Sequence, residues 1–253
     1  MLDLYFAGAE LIILRHDVDN PFSLKSLFSK GMNYLSLKMG KIFPRWKSLG
    51  YLKDALDLFE REREIGIQAT WFFRTLTTPF PAFRKQILAN GHEIGFHADR
   101  IENETFFVKD LKTVAQDTRI FGFTKHGSKG LPTPLDVGLG EVYNLDLYIE
   151  RAKKFGLSYF AGNDVSPIDT IKIIEGIAVF PSAFWIAPGY MNDRKFTVNW
   201  LIEYQKDHDV VVLIHPEEAT EVFPKRKQKV EKILSRCEEV VTFKRYLEIN
   251  GFL

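Results

Sequence analysis

The residues of this chain best suited to chemistry gather at Arg15-His16-Asp17-Val18-Asp19-Asn20, directly after the apolar run Leu11-Ile12-Ile13-Leu14. Asp17 and Asp19 are two positions apart, and on an extended backbone alternate side chains share a face, so both carboxylates can enter one site. One could bind a cation while the other takes a proton. Helix capping is the competing use of such residues. It accounts for one acidic residue, but not for a histidine and two aspartates set against a buried strand. Farther on, His97 follows Glu93-Ile94-Gly95-Phe96, His126 lies just past Phe121-Gly122-Phe123-Thr124, and His215 follows Asp209-Val210-Val211-Val212-Leu213-Ile214. With His16, four of the six histidines stand at the ends of expected strands. His92 precedes a strand and His208 ends a helix, and both read as structural or surface residues. Imidazoles beside two carboxylates form the donor inventory of a mononuclear metal site with a separate acid and base.

Such a site needs a scaffold that brings strand ends together, and the hydrophobic periodicity supplies one. After the first strand, Ser23 to Lys41 carries Leu24, Leu27, Phe28, Met32, Leu35 and Met39 at helical spacing, closed by Pro44. A helix follows from about Tyr51 to Ile65 with Gly66 ending it, then a strand at Ala69–Phe73, a helix near Ala82–Ala89 and the short strand Glu93–Phe96. Val108–Arg119 reads as a helix, and Lys125–Pro132 as an irregular loop after the fourth strand. The second half repeats the alternation: helix Val142–Phe155, strand Leu157–Ala161, a hairpin of two short strands around Glu175-Gly176 within Ile171–Phe180, and helix Arg194–His208. Strand Asp209–Ile214, a basic solvated helix from about Lys225 to Arg236 and a last strand at Val240-Val241 finish the chain. The pattern of about seven β-α units predicts an α/β fold, a complete or incomplete (β/α) barrel in one domain spanning residues 1–253.

Composition narrows the partners. A formal net charge of +1 over 253 residues gives no argument for nucleic acid or for an acidic membrane surface, and no apolar run approaches the length of a membrane span. The single cysteine, Cys237, excludes an intramolecular disulfide and suits a reducing cytoplasm. Met1-Leu2-Asp3-Leu4-Tyr5 lacks the basic then apolar pattern of a signal peptide. The expectation is a cytoplasmic protein without nucleic acid or membrane.

The motifs resemble those of the polysaccharide deacetylases, carbohydrate esterase family four and its relatives, which are metal-dependent hydrolases of N-acetyl groups. His16-Asp17-Val18-Asp19 looks like that family's first motif, Gly91-His92-Glu93-Ile94-Gly95-Phe96-His97 like its second, and Leu213-Ile214-His215 like its last, so the likeness runs from Leu11 to Pro216. The resemblance implies Asp17 as general base, Asp19 and His97 as metal ligands, and His215 as the acid that protonates the leaving amine. It implies a divalent ion, zinc foremost, with cobalt, nickel or iron as alternatives, a carbohydrate or other N-acylated small-molecule substrate, and a distorted (β/α) barrel with about seven strands. Trp71, Phe96, Trp185 and Tyr190 are available to stack on sugar rings, although Trp71, inside a strand, reads as core.

Two departures matter. The family's second metal histidine comes four residues after the first, and Ile101 stands there; the family's Arg-Pro-Pro motif has no counterpart, its place taken by Lys125-His126-Gly127-Ser128. Arg15 or Lys125 could take over the task of keeping Asp17 ionised. A zinc ion held by Asp19 and His97 alone would lack the usual third protein ligand. His126 is the strand-end histidine without an assigned role, and neighbouring strand ends lie close together in a barrel, so His126 is expected to complete the set. Asp99 and Glu102 are rivals, but sit in a charged segment that reads as solvated. Two other functions stay open on this fold: hydrolysis of another C–N bond of the ureide type, and a carbohydrate-binding relative that has lost its metal.

Overall fold

The computed structural model describes residues 11–40, 43–127, 143–162, 171–181, 184–186, 196–236 and 239–253. Tyr190, Cys237 and the part of the expected loop beyond Gly127 lie outside them. In chain order the elements begin with β1 (Ile12–Val18), α1 (Leu27–Met39), α2 (Lys53–Ile65), β2 (Thr70–Phe73), α3 (Pro81–Ala89), β3 (Glu93–Ala98), α4 (Glu104–Ala115) and β4 (Gly122–Lys125). They continue with α5 (Leu145–Lys154), β5 (Tyr159–Ala161), β6 (Lys172–Ile174), β7 (Ile177–Phe180), β8 (Phe184–Trp185), α6 (Val198–Tyr204), β9 (Val210–Leu213), α7 (Pro224–Arg236), β10 (Val240–Val241) and α8 (Phe243–Ile249).

The ten strands of the described residues belong to one sheet, in the order β6-β7-β5-β4-β3-β2-β1-β9-β8, with β10 paired to β1. The pairs are parallel except β6 with β7, the hairpin expected around Glu175-Gly176. Both turn residues have positive φ, 51° and 81°, the twist a two-residue hairpin loop favours. Along one edge of β1, β2 pairs with Arg15–Val18 and leaves Ile12 and Ile13 to β10. The sheet curls strongly, because Arg15 on β1 reaches the carbonyl of Gly162 just past β5, four strands away. This is the distorted barrel of the sequence analysis, with β6 and β8 as its ends among the described residues.

The curl divides the apolar residues into two cores. The outer one fills the space between sheet and helices with Leu14, Trp71, Phe73, Phe96 and Phe123 against Phe59, Phe83, Phe107 and Tyr148. Trp71 and Phe96 are fully buried there and are not free to stack on a sugar. The inner core holds Ile13, Phe72, Tyr159, Phe180 and Val211, and α8 closes it from below with Phe243, Tyr246 and Leu247. The ring of Phe243 stacks on Tyr159 with centroids 4.9 Å apart. Rings this large inside a small barrel need neighbours without side chains: a Cβ on Gly95 would come within 2.4 Å of Phe72, and one on Gly122 within 2.3 Å of Tyr159.

Local capping explains where the helices depart from the periodicity. α4 starts four residues earlier than expected because Asn103 Oδ1 accepts the Phe106 N–H. α5 and α6 are shorter than expected, capped by Asn144 and Thr197. α8 gave no advance signal, since seven residues with Phe243, Tyr246 and Leu247 are too few to show a helical period. α1 has the expected helical spacing, but of its apolar residues Met32 packs against the core while Leu27, Phe28, Leu35 and Met39 face outward.

Candidate metal centre

β1 alternates cleanly across the sheet. Leu14 and Val18 point into the outer core, and His16 goes with them. Its Nδ1 meets the Ile214 carbonyl at 2.9 Å and its Nε2 meets Glu62 Oε1 of α2 at 2.6 Å, with the Trp71 ring tilted against it at 4.4 Å between centroids. His16 therefore does not join the strand-end site. Arg15 and Asp17 face the interior of the curl, and Asp19 follows one residue past the strand end on the same side.

Inside the curl Arg15 and Asp17 form a two-pronged pair. Arg15 Nε donates to Asp17 Oδ1 at 2.9 Å and Nη2 donates to Oδ2 at 2.7 Å. The guanidinium also donates to Thr124 Oγ1 at 2.7 Å and to Gly162 O at 3.2 Å. Burial works against the Asp17 charge, but Arg15, with help from His97, holds the carboxyl below its usual range. Of the two cations considered for this role, Lys125 instead donates to the carbonyl of Gly127 at 3.0 Å.

Asp19, His97 and His126 converge. Asp19 Oδ1 lies 3.0 Å from His97 Nε2 and 3.2 Å from His126 Nδ1, and the two imidazole nitrogens are 3.1 Å apart. Backbone pairing sets this up: His97 is registered opposite Thr124 on β4, and the His126 N–H donates to Ala98 O at 2.8 Å, drawing the start of the next loop over the end of β3. Asp19 Oδ1 is shut off from solvent yet makes no hydrogen bond of good geometry among the described residues, and neither does His97 Nδ1. A buried acceptor with no hydrogen bond of its own, facing two ring nitrogens that bond each other at 3.1 Å, has the donor chemistry of a cation site. The three mutual distances approach the ~3.3 Å edge of a tetrahedron built on ~2.0 Å metal–ligand bonds. One carboxylate and two imidazoles also make the three-ligand complement of a catalytic site. The residues fit a divalent ion.

His215 closes the group, its Nε2 3.4 Å from Asp19 Oδ2. Burial would discharge this imidazole, but Asp19 and Glu218 outweigh it and hold the proton well above the ordinary histidine range. His97 behaves oppositely: burial dominates and lowers its pKa, which suits a neutral ligand. The rivals for the third ligand position are elsewhere. Asp99 accepts from Arg74 Nε at 2.9 Å, Glu102 is exposed, and Ile101 is sealed in the outer core.

Sequence reasoning missed Glu218. Its carboxylate is buried and accepts the His215 backbone N–H at 2.9 Å, the Trp185 Nε1–H at 3.0 Å and Arg226 Nη1 at 3.2 Å. Trp185 is thereby fixed with its ring 5.0 Å from that of His215. The signal was present in His215-Pro216-Glu217-Glu218, which has proline at the first position and glutamate at the third of a short helical turn. Glu217 beside it accepts from Asn20 Nδ2 at 3.1 Å, and burial pushes its carboxyl up to about 7.

No protein-family model and no curated protein sequence matches this chain. Solved structures do. A candidate polysaccharide deacetylase from Mycobacterium smegmatis superposes with a TM-score of 0.55 at 15% identity, covering 97% of this chain and 92% of that one. The chain has the polysaccharide deacetylase fold. A 4-alpha-glucanotransferase from Thermococcus litoralis is similar at a TM-score of 0.51 and 14% identity, over 94% of this chain and 38% of that one. A family 4 acetyl xylan esterase from Clostridium thermocellum, solved in complex with a cobalt ion, gives a TM-score of 0.49 at 15% identity, over 95% of this chain and 92% of that one. A deacetylase fold shared with a glucanotransferase says where a site is built and leaves its chemistry to the side chains.

Proposed function

We propose that this protein is a metal-dependent hydrolase that removes an N-acetyl group from a sugar or sugar conjugate. The observation that supports the reading is the convergence of Asp19, His97 and His126 next to an arginine-clamped carboxylate and a protonated histidine. Amide hydrolysis needs an activated water, stabilisation of the negative charge that develops on the carbonyl oxygen, and a proton for a poor leaving group. A divalent ion held by Asp19, His97 and His126, zinc by preference for this donor set, would supply Lewis acidity at the carbonyl and the water. Asp17 accepts the water's proton; its bond to Arg15 keeps it ionised at neutral pH and fixes its orientation. His215 carries a proton at Nε2 and delivers it to the departing amine, as an amine leaves poorly in anionic form. Glu218 holds His215 through its backbone and Trp185 through its ring nitrogen, so a flat apolar face stands beside the acid, of the kind that packs against a sugar ring.

The test is acetate release. Metal-loaded protein incubated with N-acetylated monosaccharides and oligosaccharides is expected to liberate acetate, and a chelator is expected to abolish it. A panel that yields no acetate, but turnover of a cyclic ureide, would move the reaction to another C–N bond. Silence on both would end the enzymatic reading.

A further inference from the structure

α1 is built inside-out. The residues it turns toward the body are Ser29, Met32, Asn33 and Ser36, at the i, i+3, i+4, i+7 spacing of one helix face. Ser36 is its one buried residue. Asn33 anchors the helix to the segment after β1, accepting from Phe22 N at 2.8 Å and donating to Phe22 O at 2.7 Å. The large apolar side chains take the other side: Leu27 is 87% exposed, Phe28 66% and Leu37 60%, with Tyr34, Leu35 and Met39 among them. Trp46, shortly after the helix, adds another ring at 62% exposure. A contiguous apolar face of this kind on a folded domain marks a docking surface.

Charge says what docks. From Asn20 through Lys53 the chain carries seven lysines and arginines and no aspartate or glutamate, while the remainder of the chain is net acidic. Lys25, Lys30, Lys38 and Lys47 are exposed among the apolar residues. The first carboxylates come at Asp54 and Asp57 on α2, and Asp57 is already paired with Lys53. We propose that α1 and the Trp46 turn dock this protein on an anionic phospholipid surface. Leucine and phenylalanine enter the acyl boundary, tyrosine and tryptophan lie at headgroup depth, and lysine stems reach back to the phosphates. A second copy fits worse, because a two-fold contact sets the patch against itself, cation facing cation with no carboxylate in the segment to intervene. The expectation of no membrane partner rested on overall charge and the absence of a span. No helix among the described residues is long and apolar enough to cross a bilayer, but a surface helix needs neither a span nor a high total charge. α1 follows the segment after β1 and is tied to it through Asn33 and Phe22. The docking does not depend on what the metal centre catalyses.

Co-sedimentation of the full chain with vesicles tests it. Wild-type protein is expected to pellet with phosphatidylcholine vesicles containing phosphatidylglycerol, to stay in solution with phosphatidylcholine alone, and to be released by high salt. Lys30→Gln and Lys38→Gln are each expected to weaken partitioning about fivefold. The triple variant Phe28→Ser, Leu35→Ser, Leu37→Ser is expected to lose at least about tenfold. Its circular dichroism and thermal melting should match wild type, because the replaced side chains are exposed. Wild-type protein that ignores anionic vesicles, or a triple variant that binds them as tightly, overturns the proposal. So does a wild-type dimer that the triple variant converts to a monomer, which would assign the face to a second copy.

Discussion

The two faces of β1 carry the same kinds of residue and do different things with them. Outside the curl, His16, Glu62 and His92 form a histidine–carboxylate cluster sealed under α2 and Trp71. Inside it, Asp17, Asp19, His97, His126 and His215 form another. In the outer cluster most donors and acceptors are spent on hydrogen bonds inside a sealed core, with Glu62 Oε2 and His92 Nε2 left unpaired. His16 uses both ring nitrogens, and His92 Nδ1 accepts from Ala69 N at 3.0 Å and Trp71 Nε1 at 3.3 Å. In the inner cluster His97 Nε2 and His126 Nδ1 are hydrogen-bonded at 3.1 Å while Asp19 Oδ1, in reach of both, makes no hydrogen bond, and Asp19, His126 and His215 are open to solvent on one side. Residue type alone does not separate the two clusters; access to solvent and the convergence of three potential ligand atoms do.

Mutations can break this contrast, the largest effect first. Asp19→Asn and His126→Ala are expected to lose the bound ion and bring hydrolysis to background, measured by elemental analysis and acetate release. One tightly held metal per chain in His126→Ala protein would remove His126 from the ligand set. Asp17→Asn should keep the metal and lose about 10²–10⁴-fold in kcat. Equal metal loss in the Asp17 and Asp19 variants would erase the division of labour between them.

On the outer face the expected loss is of stability. Glu62→Ala leaves His16 buried without its partner and should cost about 3–5 kcal/mol in urea unfolding. The paired replacement His16→Phe with Glu62→Leu should recover most of that and leave hydrolysis intact. An inactive double variant would show that the outer cluster serves the reaction. The smallest effect concerns pH. Burial, with the neighbouring His16 second, holds His92 down at about 4 in the folded protein, against 6.5 in the unfolded chain. Between those values the unfolded chain binds the extra proton, so stability is full above pH 6.5 and falls by about 3 kcal/mol as pH drops toward 4. His92→Gln should flatten that part of the urea-midpoint profile; an unchanged slope would assign it to other groups.

Much of this molecule was written locally. Alternation of apolar runs and helical periods sufficed for β1 to β5, β9 and the parallel barrel, because a buried parallel strand must be apolar on both faces. The carboxylates and histidines at the strand ends were visible for the same reason: a charged residue abutting such a run has to lie at its rim or be paired. The missing ligand at Ile101 was legible only against the motifs this chain resembles, and that comparison is what made His126 the expected replacement. Tertiary structure decided the rest. Whether His16 turns inward or outward depends on where β1 sits relative to Glu62, forty-six residues away. The choice of Arg15 over Lys125 depends on which of them the curl brings to Asp17. Periodicity recognised α1 as a helix with an apolar face, but not that the face points to the outside, because a helical period records which side chains share a stripe and carries no information about what that stripe meets.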